Sequence, residues 1–304
     1  AGFQLNAQDQ KSEFRQALEA IDGVEVVKEV RVSQHFTEAY ELRFTQAVDH
    51  NYPGGAQFTQ RMFIGHAGYD RPMVLSTSGY TAGRLGGAEP ASLLKANLIR
   101  VEHRYFGESV PDPLVWDNLT VWQSATDHHE IVQAFKTLYK NKWLSTGHSK
   151  DGQTAIQFKA IYPDDIDVAI PYVAPLNLCK VDPRIYDFLE NVGTEAERKK
   201  VFEYQIALFE KKDEIMPFVK RQAKARKWTF TMGIERGYDL GVLEFPFAMW
   251  QYGQVKPLDL PGMEASAEDL LKPFNQVNAL FFFSEPGIVG YLSHYYQAMN
   301  EMGY

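Results

Sequence analysis

KWLSTGHSKDGQTAIQF, residues Lys142 to Phe158, is the stretch on which the fold of this chain turns. Trp143 to Thr146 is a short apolar run with strand character, Gly147-His148-Ser149 is a tight turn, and a helical pattern starts around Lys150. A strand that turns sharply into a helix with a serine at the corner is how a hydrolase presents a nucleophile. Ser149 would then sit at a helix N-terminus, where the helix dipole and free backbone N–H groups favour a developing oxyanion, and the N–H of Lys150 would be one donor. The usual motif has glycine two residues after the serine. Here Asp151 stands in that place and Gly152 follows, which puts a side chain and a negative charge into a crowded turn. The same residues also fit a plainer reading, in which the serine only caps a helix.

Outward from this stretch, apolar and β-branched runs recur at Val24 to Val32, Ala39 to Phe44, Phe58 to Ile64, Met73 to Thr77, Leu98 to Glu102 and Ile166 to Val173. The first three alternate with polar residues across short turns such as Asn51-Tyr52-Pro53-Gly54-Gly55, which predicts an antiparallel edge. Later strands alternate with helical patterns at Val121 to Tyr139 and Gln153 to Tyr162, which predicts a parallel sheet with crossovers on its faces. Past Pro183 helical periodicity dominates, at Thr194 to Lys211, Glu214 to Arg226, Tyr238 to Tyr252, Ser266 to Phe282 and Pro286 to Met302. The expected organisation is an α/β core over residues 1–179 and a helical lid over residues 180–304.

A chain of 304 residues that is 45% hydrophobic has enough apolar material for a buried core. The net charge of −8 argues against a nucleic-acid partner, whose affinity would rest on neutralising phosphates. The basic cluster Lys220, Arg221, Lys224, Arg226 and Lys227 reads as a solvated helix face. With Cys179 as the single cysteine there is no intrachain disulfide and no cysteine-based zinc site. No run of eighteen apolar residues predicts a membrane span, and no export signal stands at the N-terminus. No metal or cofactor is expected. Asp127-His128-His129-Glu130 lacks the i, i+4 histidine pair of a helical metal site and reads as helix packing or capping.

The second oxyanion donor is expected from the loop after an earlier strand at the same sheet edge. Met73 to Thr77 leads into Ser78-Gly79-Tyr80, and the backbone N–H of Tyr80 is the candidate. The glycine-rich TAGRLGG that follows lacks Gly-Lys-Ser/Thr, so a nucleotide-binding reading is set aside. The segment VEHRYFGES, Val101 to Ser109, packs Glu102 and its neighbours at a strand end, either as an internal hydrogen-bond network or as a wall of the site.

Five segments, VEHRYFGES, WDNLTVWQSATDHH, STGHSKDGQT, YPDDIDVAIPYVAPLN and EFPFAMWQYG, occur in this order. Together they resemble the secreted prolyl tripeptidyl and tetrapeptidyl aminopeptidases, serine peptidases of α/β-hydrolase fold, from about Gln57 onward. The resemblance implies removal of short N-terminal peptides with proline before the cut bond, through an acyl-enzyme at Ser149. It implies peptide substrates with a free N-terminus and a bacterial, secreted or periplasmic setting. The family's elbow reads Gly-x-Ser-Lys-Gly-Gly, so Asp151 departs from it. In this fold the triad acid and base follow on loops after two further strands. These are not visible, and His294, the only histidine after Ser149, lies in a helical pattern and is a poor candidate for the base. The expectation is therefore that the C-terminal strands, with the triad Asp and His, lie in a companion C-terminal segment.

An aminopeptidase needs a carboxylate in a partly desolvated pocket for the substrate amine. Glu244, amid apolar neighbours, is that candidate, with Trp250 and Tyr252 as an aromatic wall for a proline ring. The alternative is that these aromatics are lid core and Glu244 a paired surface charge. Two other functions are compatible with Ser149: an esterase or lipase on the same fold, and a catalytically silent fragment or binding protein.

Overall fold

The computed structural model describes residues 11–32, 35–277 and 279–303. The chain divides into two compact units, Ala1–Lys180 together with Tyr296–Tyr304, and Val181–Tyr295.

The first unit is built on a seven-stranded sheet of order β1-β2-β3-β5-β4-β6-β7 among the described residues. Strands β1 (Val24–Glu29), β2 (Glu38–Ala47) and β3 (Gln57–His66) form the antiparallel edge that the alternating pattern predicts. Next come β4 (Met73–Thr77), β5 (Asn97–Val101), β6 (Trp143–His148) and β7 (Val168–Tyr172), mutually parallel, with β3 antiparallel to β5. Helices α1 (Glu13–Glu19), α2 (Glu89–Leu94), α3 (Val121–Phe135) and α4 (Lys150–Ile161) complete the layer structure. Packing explains the continuous apolar runs: Met73, Leu75, Ile99 and Val101 are buried in one core with Ile131, Phe135, Trp143 and Phe158. A mixed sheet with an antiparallel edge, parallel centre and covering helices is the α/β-hydrolase fold.

The chain steps from β4 to β5 on one side and then returns past β4 to β6 on the other, so the order reverses between β4 and β6. Loops leaving the carboxyl ends of two such strands diverge and leave a crevice, where open α/β sheets place their ligands. The turn after β6 is the one that carries Ser149.

The second unit is helical: α5 (Arg184–Asn191), α6 (Glu195–Glu210), α7 (Lys212–Arg226), α8 (Ile234–Tyr252), α9 (Ala267–Gln276) and most of α10 (Glu285–Gln297). Its own core gathers Tyr204, Leu208, Ile215, Tyr238, Val242, Phe245, Leu270 and Phe274. Helix α6 starts in a full capping box, Thr194 with Glu197. The helix expected over Ser266 to Phe282 ends at Gln276 and is followed by a 3-10 turn at Phe281–Phe283; residue 278 lies outside the described residues.

The expected division at 179/180 needs one correction. The last residues of the chain group with the sheet unit, not with the helices. After α10 a π-helical turn, Ala298–Met302, lies against the core. Val121 N–H donates to Glu301 Oε2 at 2.6 Å and Asn177 Nδ2 donates to the Met302 carbonyl at 3.0 Å. The rings of Tyr296 and Trp116 stand 5.1 Å apart.

Candidate active site

Ser149 follows β6 directly and precedes the first residue of α4, with φ 54° and ψ −126°. A non-glycine residue in this left-handed region costs roughly 1–3 kcal/mol and persists only where its surroundings over-determine it. Its N–H donates to the Tyr172 carbonyl of β7 at 3.0 Å, and its carbonyl accepts from Gln153 N–H at 2.9 Å. Its side chain makes no cap hydrogen bond, so the helix-cap reading fails. The residue is exposed, and among the described residues its hydroxyl has no hydrogen-bond partner.

Two glycines make the corner possible. A Cβ on Gly147 would lie 2.4 Å from the backbone carbon of Asp151, and one on Gly152 would lie 2.8 Å from the Gly147 carbonyl oxygen and 2.9 Å from Ala174 Cβ. The helix thus crosses the strand end at a separation that only hydrogen side chains allow.

The loop after β4 meets the elbow as the sequence predicts. Ser76 of β4 pairs with Thr146 of β6, so Ser78-Gly79-Tyr80 leaves the sheet beside Ser149. A Cβ on Gly79 would sit 2.6 Å from Lys150 Cγ and 2.8 Å from its backbone carbon. The Gly79 N–H donates to Asp151 Oδ1 at 2.6 Å. Lys150 Nζ donates to the Gly79 carbonyl at 2.6 Å and to Gln297 Oε1 at 2.9 Å. Asp151 therefore folds back onto the loop. Burial pushes its carboxyl above the usual value, against the Gly79 N–H, Arg100 and Lys150, which pull it down. Lys150 is itself buried, and burial lowers its amine to about 7, with Asp151 opposing.

Glu102 needs correction as a substrate-binding residue. It is fully buried, and its carboxylate accepts from Arg61 Nη2 at 2.6 Å, Ala82 N at 2.8 Å, Glu108 N at 2.8 Å and Ser109 Oγ at 3.0 Å. Arg104 is as deeply committed. Its Nε and Nη2 each reach a different oxygen of Asp127 at 2.6 Å, and its remaining donors go to the carbonyls of Ala47, Val48 and Asn118. VEHRYFGES is thus an internal hydrogen-bond network that fixes the loop behind the site.

Each histidine of the first unit is engaged elsewhere than at Ser149. His148 is exposed and stacks on Tyr172 at 4.6 Å; the elbow directs it to the neighbouring strand. His50 Nε2 lies 2.7 Å from Asp127, His66 Nδ1 2.7 Å from the Tyr139 hydroxyl, and His129 Nδ1 2.6 Å from Asp165. His103 Nδ1 lies 2.7 Å from the Arg104 carbonyl, His35 Nε2 lies 2.7 Å from the Ala96 carbonyl, and His128 is buried against Phe158. Burial holds His103 well below the usual imidazole range and brings His128 to about 4. His294 is on α10, in the second unit. Among the described residues no group of three His, Cys, Asp or Glu side chains is placed to hold a metal.

Glu244, Trp250 and Tyr252 all lie on α8. Glu244 is half-buried, and desolvation alone pushes its carboxyl up. Trp250 packs inward: a Cβ on Gly193 would come within 2.7 Å of its Cη2. Tyr252 is exposed. Burial raises the Tyr295 phenol, and the charge of Glu244 adds to this, which brings in a neighbour that the sequence did not single out.

A family model described as PS-10 peptidase S37 matches residues 7–304. The chain is 33% identical over 267 residues to the prolyl tri/tetrapeptidyl aminopeptidase of Streptomyces mobaraensis, covering 86% of this chain and 56% of that protein. It thus spans little more than half the length of this relative. Among solved structures, acetyl xylan esterase 1 from Thermoanaerobacterium sp. JW/SL YS485 aligns at 14% identity and a TM-score of 0.37, over 60% of this chain and 67% of that one. An alpha/beta fold family hydrolase from Bacillus anthracis str. Sterne aligns at 20% identity and a TM-score of 0.33, over 47% of this chain and 55% of that one. At those scores the two likenesses carry no weight.

Proposed function

Because the chain belongs to the PS-10 peptidase S37 family, we propose that it carries the nucleophile and oxyanion site of a serine exopeptidase that releases tri- or tetrapeptides from free N-termini, with proline before the cut bond. The observation that carries this reading is the backbone of Ser149, held left-handed at a strand-to-helix corner with its hydroxyl exposed and uncapped. The relative from Streptomyces mobaraensis supports the substrate class.

In this reading the Ser149 hydroxyl oxygen attacks the carbonyl carbon of the scissile bond while a base takes its proton. The oxyanion is held by the N–H groups of Lys150 and Tyr80. The departing amine takes a proton, and water then releases the acyl peptide from Ser149. Glu244, already desolvated, receives the ammonium of the substrate N-terminus, and the aromatic residues of α8 flank the proline. The base is His294 or a group outside the described residues, as is the acid that orients it. We place the protein outside the cytoplasm, in keeping with the secreted setting that the sequence resemblance implies.

The test is turnover of tripeptidyl and tetrapeptidyl amides ending in proline, each with a free and an acetylated N-terminus, beside a simple acyl ester. Cleavage of the free-amine proline substrates and not of the acetylated ones supports the reading. Turnover of the ester alone assigns the site to an esterase, and turnover of none leaves a binding protein.

A further inference from the structure

We propose that the side chain of Lys150 positions the oxyanion site, by holding the Gly79 carbonyl and so fixing the direction of the Tyr80 N–H. Lys150 would then serve the oxyanion twice, with its backbone as one donor and with its side chain as the orienting group for the other. This rests on the reading of Ser149 and Tyr80 given above.

The argument is one of peptide geometry. The Gly79 carbonyl and the Tyr80 N–H belong to a single planar group and point in opposite directions across it. Whatever fixes the carbonyl therefore fixes the N–H. Glycine leaves such a plane freer to rotate than any other residue does, yet Gly79 cannot be replaced, because the elbow passes too close for a Cβ. The freedom is removed from both sides. Asp151 Oδ1 accepts from the Gly79 N–H, and Lys150 Nζ donates to the Gly79 carbonyl, both at 2.6 Å. Two consecutive residues after Ser149 thus clamp the two peptide groups that flank Gly79.

The surroundings of Nζ fit a positioning group. It is 2% exposed in side-chain terms, and its hydrogen bonds go to two neutral acceptors, the Gly79 carbonyl and Gln297 Oε1. The rings of Tyr80 and Phe106 face it at 5.3 and 5.2 Å. The titratable neighbours are Asp151, on its own helix, and His103, which burial keeps neutral on the loop after β5. The C-terminal segment brings only the neutral Gln297. Burying an amine among carbonyls and aromatic faces is costly to the fold, and Met or Leu would fill the same space without that cost. Such a group is retained where its hydrogen bonds do work.

The experiment is NMR of the full chain labelled with carbonyl-13C glycine and 15N tyrosine. It reports only the Gly–Tyr peptide bonds, those of Tyr69, Tyr80, Tyr238, Tyr291 and Tyr304, and Tyr80→Phe assigns the one of interest. An amide nitrogen responds to the hydrogen bond on the carbonyl of its own peptide group. The Tyr80 resonance is expected to titrate with a midpoint of about 7, to move to a lower midpoint in Gln297→Leu, and to lose the titration in Lys150→Met. A Tyr80 resonance that stays fixed across neutral pH, or titrates alike in folded Lys150→Met, overturns the proposal. If Lys150→Met does not fold, the native and Gln297→Leu titrations decide between the same two results. In parallel, Lys150→Met is expected to slow phosphonylation of Ser149 by a fluorophosphonate about tenfold or more, with partial rescue in Lys150→Arg. An unchanged rate counts against the proposal. A native chain that is not phosphonylated at all sinks the functional reading, while the NMR result still decides the peptide clamp.

Discussion

Asp151 Oδ1 accepts a hydrogen bond from the backbone N–H of Gly79 at 2.6 Å, tying the first turn of α4 to the loop after β4. The residue that breaks the glycine pattern of the elbow is therefore a strut between the two halves of the oxyanion site. It also places a carboxylate beside the position where negative charge would develop. These two effects oppose each other, and substitution separates them.

Asp151→Asn keeps an oxygen for the Gly79 N–H and removes the charge. Reaction of Ser149 with a fluorophosphonate is expected to quicken by a few-fold to about tenfold. Asp151→Ala removes the acceptor as well, and there the rate is expected to fall below that of Asp151→Asn. Rate constants from intact mass against time distinguish the three proteins.

The crossing of α4 over the end of β6 tolerates no side chain at Gly147 or Gly152. Gly147→Ala is expected to destabilise the fold by roughly 1–3 kcal/mol or more, read as a lower midpoint in urea unfolding. Ser149→Ala, which removes only an unpaired hydroxyl, is expected to leave that midpoint nearly unchanged.

The elbow was legible in the sequence because everything it needs is local: a strand, Gly147, Ser149 and a helix within one short stretch. The loop after β4 was legible for the same reason. Glu102 was misread because its four donors come from Arg61, Ala82, Glu108 and Ser109, and no spacing rule brings these to one point. Lys150 looked like an ordinary charged residue in a first helical turn, and only the return of the C-terminal segment with Gln297 shows that it is buried. The return itself was hidden because α10 and the π-helical turn after it share one helical pattern, while the division between the two units falls inside it.

Asp127 joins α3 to the loop after β5 through Arg104, with both side chains buried. Burial pushes the Asp127 carboxyl up, but the Arg104 charge and the hydrogen bonds from Arg104 and His50 win and hold it below its ordinary value. Its contribution to stability is thus present above the unfolded-chain value and lost as the pH falls through the lower folded one. Asp127→Ala leaves a buried guanidinium without its partner and is expected to cost about 3–5 kcal/mol. Thermal unfolding at neutral pH measures the loss.

Lys150 gives a pH dependence of opposite character. Its amine stands at about 7 in the folded chain against 10.5 when unperturbed. Between those values the unfolded chain binds more protons than the folded one, so stability is expected to rise with pH across that window. Lys150→Met is expected to flatten the rise and to be more stable than the native chain below neutral pH. Urea titrations at several pH values test both statements.

The central claim is that Ser149 is an activated nucleophile. Intact-mass analysis after incubation with a fluorophosphonate, beside Ser149→Ala, tests it most directly. A single adduct on the native chain that is absent from Ser149→Ala is the predicted result. A folded native chain that gains no adduct, or one that gains the same adduct in Ser149→Ala, would contradict the account.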